Sequence, residues 1–253
     1  MRQPSPITCR SFVALVAALV AAPLGAQAAS GDGYLFGEPI ASVTFRLGYA
    51  RPSAGSDLFG YTTNLLSLSK GDFAGVELGA DVGFMQGNHL EWLFSADVAS
   101  RTAESDYRGL IGSDGKPINQ STTFVRLPLL VGARYWFSAP GTRIGTLAWV
   151  PTRIAPFVGL QGGVMWYEFR QVGDFVDFNN GNNVFAGDLR SNGWAPTAAL
   201  TAGLSVAVNP HFSLLSQARY VYAKRSMGAD FKGFQPIDLS GLSMTVGLTY
   251  RIR

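Results

Sequence analysis

Two histidines, His89 and His211, are the only imidazoles in the 253-residue chain. They are therefore its only side chains whose ordinary pKa suits general-base work near neutral pH. A serine or threonine nucleophile would need one of them within hydrogen-bond reach. Both fall in short turns, Gln86-Gly87-Asn88-His89 and Asn209-Pro210-His211, so both read as solvated turn residues. A second candidate chemistry is cation binding. Asp174, Asp177 and Asp188 stand among Asn179, Asn180, Asn182 and Asn183, an oxygen-rich set of the kind that holds Ca²⁺. The spacing of a calcium loop is missing, and a solvated loop is the better reading. The same stretch carries Phe175, Phe178 and Phe185, which are expected to pack over the barrel mouth. The single Cys9 excludes an internal disulfide and a thiolate metal cluster. Neither a cofactor nor a metal ion is expected.

The remaining chemistry lies in charges spaced two apart. Residues 242–252 place Leu242, Met244, Val246, Leu248, Tyr250 and Ile252 on one face, and Ser243, Thr245, Gly247, Thr249 and Arg251 on the other. Period two is the signature of a β-strand, whose successive side chains point to opposite faces. The same alternation recurs at 41–50, 74–85, 90–101, 122–136, 156–168, 196–208 and 212–222, which makes eight strands. Each is long enough for the roughly 9–11 residues that a membrane-crossing strand needs. The polar faces carry Arg46, Glu77, Asp81, Glu91, Asp97, Arg101, Arg126, Arg134, Arg219 and Arg251. A charge facing lipid near the bilayer midplane costs about 2–4 kcal/mol. The polar face is therefore read as the lumen, where arginines and carboxylates pair into a plug. Gly75, Gly79 and Gly83 share that face and are read as making room for inward arginines.

Composition and connections agree with that reading. Only 15% of residues are charged, 12% are aromatic, and net charge is +3. Disorder needs more charge and fewer aromatics, and a nucleic-acid partner needs a larger basic excess. Residues 12–24 form an apolar run after Arg2 and Arg10, and Ala26-Gln27-Ala28 follows as a cleavage site. Residues 1–28 read as a signal peptide for Sec export, residues 29–39 as an N-terminal periplasmic segment, and residues 40–253 as the barrel. Connections alternate between tight turns and the long polar stretches 51–73, 102–121, 169–193 and 223–240, with 137–155 a longer exception. Short periplasmic turns and long outer loops mark outer-membrane barrels. Residues 56–68 are apolar for a loop and suggest a short helix or strand extension on the rim. Aromatics near strand ends suggest two interfacial girdles: Trp92, Tyr135, Trp136, Phe137, Phe212 and Tyr250 below, and Tyr49, Trp166, Tyr167, Trp194, Tyr220 and Tyr222 above. Arg108, Lys224, Arg225 and Lys232, with Arg101 beside them, lie just beyond the outer strand ends, where cations can meet lipopolysaccharide phosphates.

Val125-Arg126-Leu127-Pro128-Leu129-Leu130, Ala133-Arg134-Tyr135-Trp136-Phe137 and the closing strand Gly241 to Arg253 resemble the small outer-membrane β-barrel families of the OmpW, OmpX and OmpA-transmembrane type. The resemblance implies an all-β, eight-stranded, antiparallel up-and-down transmembrane barrel in the cell outer membrane. It implies delivery by periplasmic chaperones and the barrel-insertion machinery, contact with outer-membrane lipid and lipopolysaccharide, and a monomer. Families of this kind also include OmpW-like conduits for small hydrophobic compounds. A conduit needs an apolar lumen segment, for which Leu93, Phe157, Met165, Tyr167 and Leu215 are the candidates. Lipid A-modifying barrel enzymes of similar size need a histidine at the outer rim. Both histidines here fall at the opposite end, so a non-enzymatic envelope-structural or surface-interaction role is expected.

Overall fold

A computed structural model describes residues 33–112, 115–177 and 183–253. The signal-peptide segment lies outside the described residues, as do Phe178, Asn179, Asn180 and Asn182. In chain order the elements are β1 (Leu35–Phe36), β2 (Ala41–Pro52), α1 (Asp57–Leu65), a 3₁₀ turn (Lys70–Phe73), β3 (Gly75–Gln86), β4 (Leu90–Ile111), β5 (Pro117–Trp136), β6 (Gly141–Ile144), β7 (Ala148–Pro151), β8 (Ile154–Asp177), β9 (Asn183–Ala207), β10 (Phe212–Arg225), a second 3₁₀ turn (Ala229–Phe231), β11 (Ile237–Asp238) and β12 (Gly241–Ile252). β2, β3, β4, β5, β8, β9, β10 and β12 pair antiparallel, each with its neighbour in sequence. β12 pairs with β2 from Gly241↔Pro52 to Ile252↔Ala41 and closes the ring. Closure removes the exposed edges that an open sheet leaves unpaired.

Side-chain parity sets the register. On β12 the odd-numbered positions Ser243, Thr245, Thr249 and Arg251 are buried, whereas Leu242, Met244, Val246 and Leu248 are exposed. β3 behaves likewise, with Glu77 and Asp81 inside and Val76, Leu78, Val82 and Phe84 outside. A one-residue slip would exchange the two faces of a strand. It would put Asp81 on the outer surface.

Among the described residues, most of the polar stretches 102–121 and 169–193 is strand and not loop. β4 and β5 run 22 and 20 residues, and β8 and β9 run 24 and 25. At about 3.4 Å per residue, the longest strands far exceed a bilayer crossing, and their far halves form tall hairpins. Above the membrane both faces of a hairpin can be polar, so these segments lose the apolar face that marks a strand in sequence. Cross-strand hydrogen bonds hold them together, from Thr102↔Thr123 to Asp106↔Asn119 in one and up to Asp177↔Asn183 in the other.

Both ends of the barrel are covered. At the short-turn end, β1, β6 and β7 form a separate three-stranded sheet, which accounts for the unusual length of 137–155. Leu35 and Trp149 of this cap are buried. At the tall end the chain turns inward after β2 through Ala54, a buried non-glycine residue at φ 47°. The Asp238 carboxylate accepts the Gly55 N–H at 3.1 Å and fixes this turn. α1 follows. Its Asp57 carboxylate accepts the Leu58 N–H at 2.8 Å and reaches across to the Gln235 N–H at 3.0 Å. Leu58, Phe59 and Thr62 fall on one face of α1 and are buried, as the spacings of three and four residues to Thr62 require on a helix.

Candidate functional site

The lumen is the site that the fold builds, and it is filled in three layers. At mid-height Asp81 of β3 is the hub. Its Oδ1 accepts Arg46 Nη2 at 2.7 Å and Ser95 Oγ at 2.6 Å. Arg134 Nη2 lies 3.6 Å and Arg219 Nη2 3.7 Å from its carboxylate. Asp97 of β4 takes Arg46 at 2.7 Å and is also bonded by Arg219. Glu91 binds Arg134 at 3.0 Å, the Trp136 indole N–H at 3.1 Å and the Ser42 hydroxyl at 2.7 Å. Gln161 donates to Ser95 Oγ at 2.8 Å and ties β8 to this group. Arg46, Asp81, Asp97, Glu91, Arg134 and Arg219 are all buried. Buried charges persist when paired and hydrogen-bonded in this way.

Two members of the expected network stand apart within it. Glu77 is buried, and its Oε1 has no hydrogen-bond partner among the described residues. Arg126 is buried, donates to the Leu239 carbonyl at 3.1 Å, and lies 5.7 Å over the Phe124 ring. Arg101 corrects the sequence reading: it is exposed. It has lumen parity, but β3 ends at Gly75 while β4 rises beyond it, so Arg101 clears the wall and donates to the Asp72 carbonyl at 3.3 Å. The glycine reading needs a correction too. A Cβ at Gly79 would strike the Asp97 carboxylate and one at Gly83 the Glu91 carboxylate. The space is made for the carboxylates of β4 more than for arginines.

Above the ion pairs lies an apolar layer. Phe59 of α1 packs at ring-centroid distances of 5.0 Å on Phe73, 5.6 Å on Phe124 and 5.7 Å on Phe169. Met165, Tyr167, Phe231, Ile237 and Leu239 belong to the same cluster. Of the five apolar lumen candidates, Met165 and Tyr167 lie here, Phe157 and Leu215 form a smaller cluster with Trp136 at the other end, and Leu93 is also buried. Tyr167 and Trp136 therefore leave the girdles to which their positions assigned them. Tyr167 bonds to Ser191 Oγ at 3.0 Å, and Trp136 serves Glu91. The α1 plug was legible only as an apolar stretch at 56–68. Its partners Phe124, Phe169, Phe231, Ile237 and Leu239 had no signal of their own. Phe175 and Phe185 do not join it; they stack on each other at 5.9 Å across their hairpin.

The exterior settles the environment. Leu47, Phe84, Phe94, Val131, Leu160, Leu200, Leu214, Met244 and Val246 are all exposed, while the lumen holds the ionised side chains. A soluble barrel would reverse those faces. This is the architecture of a small outer-membrane β-barrel. No protein-family model matches the chain, and no curated protein does. The barrel is similar in fold to the crystal structure of Neisserial surface protein A, with 12% identity, 88% of this chain and 99% of that chain covered, and a TM-score of 0.44. It is also similar to Ail, the attachment invasion locus protein of Yersinia pestis, with 12% identity, 85% and 100% covered, and a TM-score of 0.39. The outer membrane protein AlkL, solved in lipid bilayers, shows 18% identity, 100% and 97% covered, and a TM-score of 0.34.

The remaining candidates lie at the two ends of the barrel. His89 Nδ1 is 2.7 Å from the Trp136 carbonyl oxygen and its ring stacks on Tyr135; His211 stacks on Tyr250. Both lie at the short-turn end. Asp188 is gripped by Arg170 through bonds of 2.8 and 2.6 Å, which hold its carboxyl below the usual range. Lys224, Arg225 and Lys232 are exposed at the tall end, with Lys224 Nζ 5.9 Å from the centroid of the Tyr222 ring. Arg108 instead clasps the segment after α1, donating to the Leu66 carbonyl at 2.6 Å and to that of Leu68 at 3.2 Å.

Proposed function

We propose that the chain is a closed, non-enzymatic outer-membrane barrel that presents its tall hairpins at the cell surface. The observation that carries this reading is the double obstruction of the lumen. Asp81 and its three arginines fill the middle, and Phe59 on α1 fills the mouth above them. An eight-stranded barrel is only just wide enough for side chains to fill, so these two layers leave no aqueous path. The short-turn end, with both histidines, would face the periplasm, and the four-strand extension of β4, β5, β8 and β9 would face outward. The exposed cations Lys224, Arg225 and Lys232 stand where lipopolysaccharide phosphates would be, and the exposed Arg101 can join them. Export by the Sec route and assembly by periplasmic chaperones and the insertion machinery belong to the same reading, as does a monomeric barrel.

A narrow conduit for small hydrophobic compounds is a second reading, favoured by the apolar layer around Phe59, Phe124 and Phe169. It requires α1 to leave the mouth. Planar-bilayer recording of the purified chain tests both. Electrical silence, with recovery in the outer-membrane fraction, is expected of the closed barrel. Steady conductance would overturn it in favour of transport, and recovery as a soluble periplasmic protein would overturn the membrane assignment.

A further inference from the structure

The most informative unassigned feature is a cavity at the short-turn end, between the ion-pair layer and the cap made by β1, β6 and β7. Its volume is about 50 Å³. A single water needs roughly 10–15 Å³ measured in this way, so the space suits several waters or one small polyatomic ion. Ser42, Ser205, Ser213 and Thr249 line it with hydroxyls, Trp149 of the cap forms part of its wall, and Arg251 of β12 supplies a charge.

Arg251 is the decisive residue. It is more than nine-tenths buried. Its Nη1 donates to the Pro210 carbonyl at 3.1 Å and to the Asn209 carbonyl at 3.4 Å, and its guanidinium carbon lies 5.3 Å over the Trp149 ring. Among the described residues, no carboxylate pairs with it. Glu91, on the same cavity, is already occupied by Arg134, Trp136 and Ser42. The other acid on the cavity wall, Glu38, is engaged by Arg143. A guanidinium offers five donors in a planar fork matched to oxyanions, and most of that fork has no acceptor here.

We infer that this cavity is a binding site for a small oxyanion, such as inorganic phosphate or a short carboxylate, held by Arg251 and the hydroxyls of Ser205 and Ser213. The anion supplies Arg251 with a charged acceptor, and the Ser205 and Ser213 hydroxyls complete its coordination in the charge-assisted manner. The cap sits over the site through its own contacts. Arg253 donates to the Phe36 carbonyl at 3.1 Å, and Leu35 pairs with Trp149. Occupancy of the cavity would thereby stiffen the N-terminal strand against the barrel.

The test uses the full barrel folded in micelles. Iodide is titrated while tryptophan emission is read, with inorganic phosphate as competitor. A saturable quenching component that phosphate removes is expected, because Trp149 stands beside Arg251. Arg251→Gln should weaken its half-saturation at least tenfold. Ser213→Val keeps the arginine, narrows the cavity, and should weaken it too, so the test survives if Arg251→Gln fails to fold. Linear, collisional quenching would overturn the site. A saturable component unchanged in both variants would also overturn it, and failure of phosphate to compete would overturn the oxyanion class.

Discussion

Asp81→Ala is the sharpest probe of the lumen. The carboxylate sits at the meeting point of Arg46 at 2.7 Å, Arg134 at 3.6 Å and Arg219 at 3.7 Å, and accepts Ser95 at 2.6 Å. Removing one partner of a buried ion pair costs about 3–5 kcal/mol, because the other charge is left uncompensated. None of the three arginines is left alone here. Arg46 and Arg219 keep Asp97, and Arg134 keeps Glu91. The cost should therefore fall near the lower bound, about 3 kcal/mol. For a domain of this size, 1 kcal/mol moves a melting midpoint by about 2–4 °C, so a fall of roughly 6–12 °C is expected. Thermal unfolding in micelles followed by circular dichroism at one scan rate measures it, and the unheated-against-heated gel shift reports the same transition. Asp81→Asn keeps an acceptor for Ser95 and Arg46 and should lose about half as much. A midpoint unchanged by Asp81→Ala, together with unchanged conductance, would show that water already screens the lumen and that the ion pairs do not hold the barrel together.

Phe59→Ala removes the side chain at the centre of the mouth cluster and should cost about 3–5 kcal/mol while leaving bilayer conductance silent, because the ion-pair layer below stays intact; a conducting Phe59→Ala would make α1 the only obstruction. Val246→Arg places a charge on an exposed position of β12 facing lipid and should cost about 2–4 kcal/mol, read as reduced yield of the heat-modifiable folded band. Thr245→Arg should also fail, but through crowding: Gly48 of β2 is packed so closely on Thr245 that even a Cβ there would meet its side chain at 2.7 Å. The Asp72 carboxyl is held below the usual carboxylate range by the Ser69 N–H and hydroxyl. Its anchoring of the first 3₁₀ turn is therefore complete above the ordinary carboxylate pKa of about 4 and is lost as pH falls through the lower folded value. Limited proteolysis with an acid-active protease should cut near 66–73 faster at pH 2 than at pH 5, and Asp72→Asn should cut equally at both.

Alternation alone specified the barrel. A strand offers two faces, and a membrane tolerates ionised side chains on only one of them, so Val76-Glu77-Leu78 and Thr245-Val246-Gly247 already state which way each residue points. The charged lumen followed from the same parity, apart from Arg101. Its place depends on where the neighbouring strand ends, which parity does not encode. The long hairpins were hidden because strands in water need no apolar face; their backbone pairing leaves no pattern in residues such as Ser121-Thr122-Thr123. The plug was hidden for a different reason. Phe59, Phe124, Phe169 and Phe231 come from four separate segments, and each alone looks like an ordinary aromatic. Only the closed ring brings them to one height above Asp81. The cavity at Arg251 belongs to the tertiary structure in the same way. Trp149, Ser205, Ser213 and Arg251 come from four separate strands, and that no carboxylate among the described residues pairs with Arg251 is a property of the assembled lumen.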